Sequence, residues 1–390
     1  MNLSQLGDPD DIRYAFDVIW YDALASLNRE FALLFYKKDS SIEMIDKKSH
    51  KNFVKRSVYP DLKLSDLYIG ATVLVFGRQL RIMDYSDDYT RDALGNMKEP
   101  TILLVRPEAY THTGEILDFI IKDGFVVSEM KTLILSETEC RELFAPTKIL
   151  SQQLYDQACT TCAERVSVAV ELLGPKAVKR VRDLVGPTSV EDAKGKDPHS
   201  LRAKFGVSGA KNAMYSSIDP QKAEQDFRLL FQTPRNPTAL LQNCTIGIIL
   251  PHAISNGNLG AILQQIQDDG FMISAMQMFQ LEKKDAAEFY EVYQTVIPEY
   301  PKMVDELCNG HSLAIEITGS RQGGESQGDE IIKIFRDYVG PVDPEVAKTL
   351  RPQSIRSRFG VNRVRNSIHC TDLPEDGMLE SEYFFAIMQS

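Results

Sequence analysis

The chain is 390 residues long with 43% hydrophobic and 25% charged residues, the mix of a folded globular protein, so extended disorder is excluded as its main state. A chain of this length predicts two or three domains. Lys and Arg number 44 against 55 Asp and Glu, and the net charge of −11 argues against non-specific partnership with nucleic acid or with an anionic membrane.

In chain order, Met1 to Asp11 is acidic, lacks an apolar run and carries no readable secretory signal. No later stretch approaches the apolar length that a membrane span needs. Six cysteines in so long a chain predict no disulfide framework, and a reducing compartment, the cytoplasm, is expected. Short apolar runs at Phe31 to Tyr36, Ser41 to Ile45 and Thr72 to Phe76, separated by turn residues such as Lys38, Asp39 and Ser40, predict a small antiparallel β domain over residues 1–97. This segment holds no acid–base or metal constellation, so a binding or docking module is expected. Within it, Lys47 to Arg56 carries five cations and one histidine in ten residues. Such a patch would steer association with an acidic surface and weaken with salt. Phe53, Val54, Tyr59 and Leu62 beside it favour an interface.

The rest of the chain repeats itself. An apolar strand (Thr101 to Val105; Thr245 to Leu250) is followed by a helix (Gly114 to Lys122; Leu259 to Gln267). A second strand begins at Phe125 or Phe271, and another runs near Val166–Leu172 or Leu313–Ile317. Strand–helix–strand twice over is the ferredoxin-like βαββαβ pattern, an α+β fold. Leu201-Arg202-Ala203-Lys204-Phe205-Gly206-Val207 recurs as Ile355-Arg356-Ser357-Arg358-Phe359-Gly360-Val361, an offset of 154 residues. The same offset joins Arg182 to Arg336, Gly186 to Gly340 and Asn212 to Asn366. Upstream, Asp123-Gly124-Phe125 matches Asp269-Gly270-Phe271 at an offset of 146, and a polar insertion from Ser320 to Asp329 accounts for most of the difference. Two homologous domains follow, over 98–232 and 242–390. They are joined by a short stiff linker that contains Pro234 and Pro237. Cys159 and Cys162 form one C-x-x-C, read as two small apolar residues on a helix, and no metal site is expected.

The chemistry-bearing residues gather late in each repeat. In the second, Asn366 and His369 follow Arg336 and Arg356. Guanidinium forks hold a polyphosphate bidentately and an imidazole nitrogen can attack its terminal phosphorus. In their ordered combination these motifs resemble nucleoside diphosphate kinase domains. That family pattern is Lys-Pro-Asp at a strand end, Arg four residues before Gly, Thr two after it, Thr-Ile-Arg, and Asn-x-x-His. The resemblance covers nearly all of 98–390. The first domain is also similar to the DM-ten domain of ciliary proteins, through Trp20-Tyr21 and Phe31 to Tyr36.

The resemblance implies transfer of a terminal phosphoryl group from a nucleoside triphosphate to histidine and on to a diphosphate, with Mg²⁺ and ATP or another nucleotide as cofactors. Carried over residue by residue, it assigns nucleotide contacts to Arg106, Arg182, Thr188, Arg202 and Asn212 in the first copy. The nucleophile position there holds Tyr215, a poor nucleophile at neutral pH, so this copy is expected to be inactive. In the second copy His369 is the implied nucleophile, with Tyr290, Arg336, Arg356 and Asn366 on the nucleotide and Thr371 and Glu380 at matching positions. Leu250-Pro251-His252 replaces Lys-Pro-Asp, and Val342 replaces Thr. Each loss removes a contact to a charged group worth about 1.5–3 kcal/mol. Two functions are therefore expected to compete. One is a structural protein of the ciliary axoneme, bound to microtubules, with tubulin and other axonemal proteins as partners. The other is a weak kinase acting through His369.

Overall fold

The computed structural model describes residues 12–95, 98–149, 151–320 and 328–389. The acidic start and the body of the polar insertion lie outside the described residues. The chain divides into two compact units, one of residues through Lys98 together with Gln280–Gly310, the other of Glu99–Phe279 together with the residues from His311 onward.

In the first unit, β1 (Arg13–Asp22), β2 (Leu27–Tyr36), β3 (Ser41–Asp46), β4 (Asn52–Val58), β5 (Thr72–Val75) and β6 (Arg78–Tyr85) form one sheet in the order β4-β3-β2-β1-β6-β5. Every pairing is antiparallel. Phe16, Val18, Phe31, Leu33, Ile42, Met44, Leu80 and Ile82 are buried, the alternating inward residues that the strand period requires. Of the flanking residues read as an interface, Leu62 is buried in the core, while Phe53 packs its ring 4.7 Å from Phe31 and stays 41% exposed. Two of the five cations are also committed within the domain, Lys47 to Asp17 at 2.7 Å and Arg56 to Asp39 at 3.2 Å.

The helices Lys283–Phe289 and Tyr300–Leu307 belong with this sheet, although no residue pattern signals it. Gln79 fixes them. Its amide nitrogen donates to the carbonyls of Leu281 and Cys308, and its Oε1 accepts from Lys283 N.

The second unit carries both repeats in one eight-stranded sheet. The first repeat supplies β7 (Glu99–Val105), β8 (Val126–Ile134), β9 (Val166–Gly174) and β10 (Met214–Ser216). The second supplies β11 (Thr245–Ile249), β12 (Phe271–Phe279), β13 (Ser312–Ser320) and β14 (Ile368–Cys370). The order β10-β7-β9-β8-β12-β13-β11-β14 is two ferredoxin-like sheets meeting edge to edge at β8 and β12. Their pairing covers two edges that would otherwise be open. It is reinforced where helix Thr113–Lys122 crosses helix Leu259–Asp268. A Cβ on Gly114 would stand 2.1 Å from Gln264 N, and one on Gly260 would stand 2.1 Å from Asp118 N, so only glycine permits this approach. The linker is docked rather than a free spacer. Arg235 donates to the carbonyls of Leu229, Leu230 and Thr233 and pairs with Glu139, while Thr238 donates to Ser274 O.

Candidate functional site

The site of the first repeat is built at the β7 end. Arg106 N binds Ala213 O, which brings the strand end against β10, where Tyr215 faces Leu104. Ala213 has φ +70°, and its repeat mate Ser367 has φ +75°. Two non-glycine residues in the left-handed region at matching places mark strained backbone held by its surroundings. Glu108 Oε1 accepts from Ala213 N at 3.0 Å and so holds the first of them.

A cleft of about 910 Å³ opens here, and Arg106, Arg182, Thr188, Arg202, Asn212 and Tyr215 all line it. Every candidate of the first copy is thus brought to one place, but the three arginines differ in what they have to offer. Arg202 is buried and donates to the carbonyls of Asn212, Gly186, Pro187 and Met214 at 2.5–3.2 Å. Burial and the neighbouring Arg106 push its pKa down to about 10. Its guanidinium ties loops together. Arg106 is 1% exposed and donates to Asn212 Oδ1, Thr161 Oγ1 and Ala158 O. Arg182 is exposed, donates from Nη1 to Ile218 O, and is the arginine best placed to meet a phosphate.

Tyr215 is buried, and its hydroxyl donates to Asp226 Oδ2 at 2.8 Å. Ser217 donates to the same oxygen at 2.6 Å, and Lys222 Nζ stands 2.6 Å from Oδ1. Burial first, and then the Asp226 charge, push the phenol well above its ordinary pKa. The position that matches His369 is thus filled by a neutral, anchored hydroxyl. Sequence reading missed Asp226. The signal was present, because Asp226 stands 154 residues before Glu380, as Tyr215 does before His369.

In the second repeat, β14 pairs with β11, and His369 faces Ile248. His369 is 7% exposed, with Nε2 3.5 Å from Glu380 Oε1. Arg356 is buried and repeats the loop-tying role, donating to Ile368 O and Gly340 O and reaching Cys370 Sγ. Arg336 holds Asp372 through its carbonyl oxygen and its carboxylate. Leu250 is buried where the first copy has Arg106, and Val342 is exposed. Asn366 is 8% exposed, and its Oδ1 has no hydrogen-bond partner among the described residues. Tyr290 is buried in the first unit, with its ring 5.1 Å from Phe289 and 5.9 Å from Tyr293. The C-x-x-C cysteines are buried with Cys140 and Tyr155 in an apolar cluster.

Two ferredoxin-like repeats, each with Arg, Asn and a His or Tyr converging at one strand end, define a tandem nucleoside diphosphate kinase fold. The family model for nucleoside diphosphate kinase matches residues 99–235 and 243–389, and the chain belongs to that family. It is 42% identical to nucleoside diphosphate kinase homolog 7 of Rattus norvegicus over 383 residues, which is 97% of this chain and 94% of the relative. The Mus musculus protein of the same name matches at the same identity and coverage. A crystal structure of the Aquifex aeolicus nucleoside diphosphate kinase is 30% identical, covering 34% of this chain and 95% of its own, with a TM-score of 0.32.

Proposed function

We propose that this chain is a structural, microtubule-associated member of the family, which binds nucleotide in its first repeat without turning it over. The observation that carries the reading is Tyr215, buried and bonded to Asp226 where the family has its phosphorylated histidine. A phenol held neutral makes no phosphoryl intermediate that passes its group on at a useful rate. The open cleft and the exposed Arg182 fit a polyphosphate. Mg²⁺ arriving with the nucleotide would offset phosphate charge there. Among the described residues no group of three His, Cys, Asp or Glu stands ready to hold an ion, so the phosphates themselves would carry it.

The setting we propose is the ciliary axoneme, with tubulin and other axonemal proteins as partners. Its support is the resemblance of the N-terminal β domain to the DM-ten domain, together with the decay of one kinase site.

A second reading, weak kinase activity through His369, is favoured by two observations. His369 faces Glu380, and the unmatched Oδ1 of Asn366 fits a hydroxyl of a bound nucleotide. Calorimetry with ADP and Mg²⁺ on the full chain tests the first reading. Binding should survive His369→Ala and weaken about tenfold in Arg182→Ser, through loss of one charge-assisted contact. An Arg182→Ser protein that binds as tightly as the parent would remove the first repeat from nucleotide binding.

A further inference from the structure

The six-stranded sheet of the first unit has two edges, and the chain treats them differently. At β5 the main chain of Leu74 is satisfied on both counts. Its N–H donates to Asn309 Oδ1 at 3.0 Å, and its carbonyl accepts from the Tyr59 hydroxyl at 3.1 Å. At β4, on the far side, no strand pairs the outer edge among the described residues. An exposed edge of this kind is a template for another strand. Residues 52, 53, 55, 56 and 58 of β4 are all exposed, including the apolar Phe53 and Val58 at 41% and 64%.

The charges on residues 47–58 are all of one sign. Lys47 and Arg56 are paired with Asp17 and Asp39. Lys48, Lys51 and Lys55 are exposed and make no ion pair among the described residues. Of the two acidic residues of the neighbouring strand, Glu43 is engaged by the Tyr36 hydroxyl and by Asn52 Nδ2, and Asp46 by the amide and hydroxyl of Ser49. A concentrated positive edge on a chain of net charge −11 is selective in two ways. A second copy of β4 would bring lysine against lysine, which is unfavourable directly across a strand pair. A strand with glutamate or aspartate at the facing positions gains instead of losing. The cations thus block self-pairing without blocking an acidic guest.

We propose that β4 is a strand-addition site for an extended acidic peptide segment of another protein. Backbone hydrogen bonds to 52–58 would supply the pairing, Lys48, Lys51 and Lys55 the charge selection, and Phe53 and Val58 apolar contact. The inference stands on the first unit alone and is independent of nucleotide binding.

The test uses the full chain and a labelled peptide of alternating glutamate and valine, followed by fluorescence anisotropy. Its control is the same peptide with alternate amides N-methylated, which keeps the charge and cannot pair as a strand. The expected result is binding at least roughly tenfold tighter for the unmethylated peptide, with slowed amide exchange confined to 52–58 and their β3 partners. Lys51→Glu/Lys55→Glu should weaken it by about tenfold. Lys51→Gln/Lys55→Gln, a milder change, should weaken it by less and keep the exchange pattern. Equal binding of the two peptides, or protection that appears elsewhere, would overturn strand addition. Unchanged affinity in both variants would overturn the charge selection.

Discussion

Arg106 Nη1 donates to Asn212 Oδ1 at 2.7 Å, and that buried bond has no counterpart in the second repeat. There Leu250 and Asn366 occupy the two positions, and Asn366 Oδ1 is left without a hydrogen bond among the described residues. An unmatched buried carbonyl costs about 1–3 kcal/mol. The two repeats therefore differ in complementary ways. The first has a cation at the strand end and a tyrosine for the histidine, while the second has the histidine and no cation at the strand end.

Leu250→Arg should return a donor to Asn366. We expect faster labelling of His369 by γ-labelled ATP, because the restored cation faces the transferring phosphate. Rapid-quench labelling of the full chain measures it. A rate equal to that of the parent would mean that this strand end does not reach the phosphate.

The arginines predict a separation of roles. Arg202→Lys cannot reproduce the fork that serves four carbonyls. Its cost should be about 2–4 kcal/mol in urea unfolding, while the folded fraction keeps its ADP affinity. Arg182→Ser should do the reverse, with little change in stability and weaker binding.

Much of this was legible in the sequence. The offset of 154 residues located both repeats, and it set Tyr215 opposite His369. The strand period gave β2, β3, β7 and β11 to within a few residues. What stayed hidden depends on three-dimensional partners. Arg202 and Arg182 are the same residue type in similar motifs, and only burial shows that one ties carbonyls and the other meets solvent. Gln79 carries no pattern at all, yet it fixes the 280–310 helices to the β domain. β1, β4 and β6 were missed because their charged residues interrupt the alternation.

The helix crossing gives a packing prediction. Gly114→Val places a branched side chain where even a Cβ meets Gln264 N. Overpacking of this sort costs about 1–3 kcal/mol, and more where backbone must move. The thermal transition should drop by several degrees and split into two if the repeats separate before they unfold. A transition unchanged in midpoint and shape would show that the crossing does not hold the repeats together.

Glu129 and Glu171 face each other across β8 and β9. Burial first, and the Glu171 charge second, push the Glu129 carboxyl up to about 7. The folded state therefore holds a proton that the unfolded chain releases near 4.5. Stability should fall as pH rises from about 4.5 to about 7. Glu129→Gln should flatten that slope, adding about 2 kcal/mol at pH 8 and little at pH 4. Urea unfolding at the two pH values checks the sign, and an equal shift at both would refute it.

If the first repeat holds nucleotide without a phosphoryl acceptor, His369 alone carries the transferred group. Single-turnover labelling of the full chain with γ-labelled ATP and Mg²⁺ should then give slow, acid-labile label that His369→Ala abolishes and Tyr215→Phe leaves intact. Acid-labile label persisting in His369→Ala, or transfer to GDP at ordinary enzyme rates of about 10 s⁻¹ or more, would contradict that assignment.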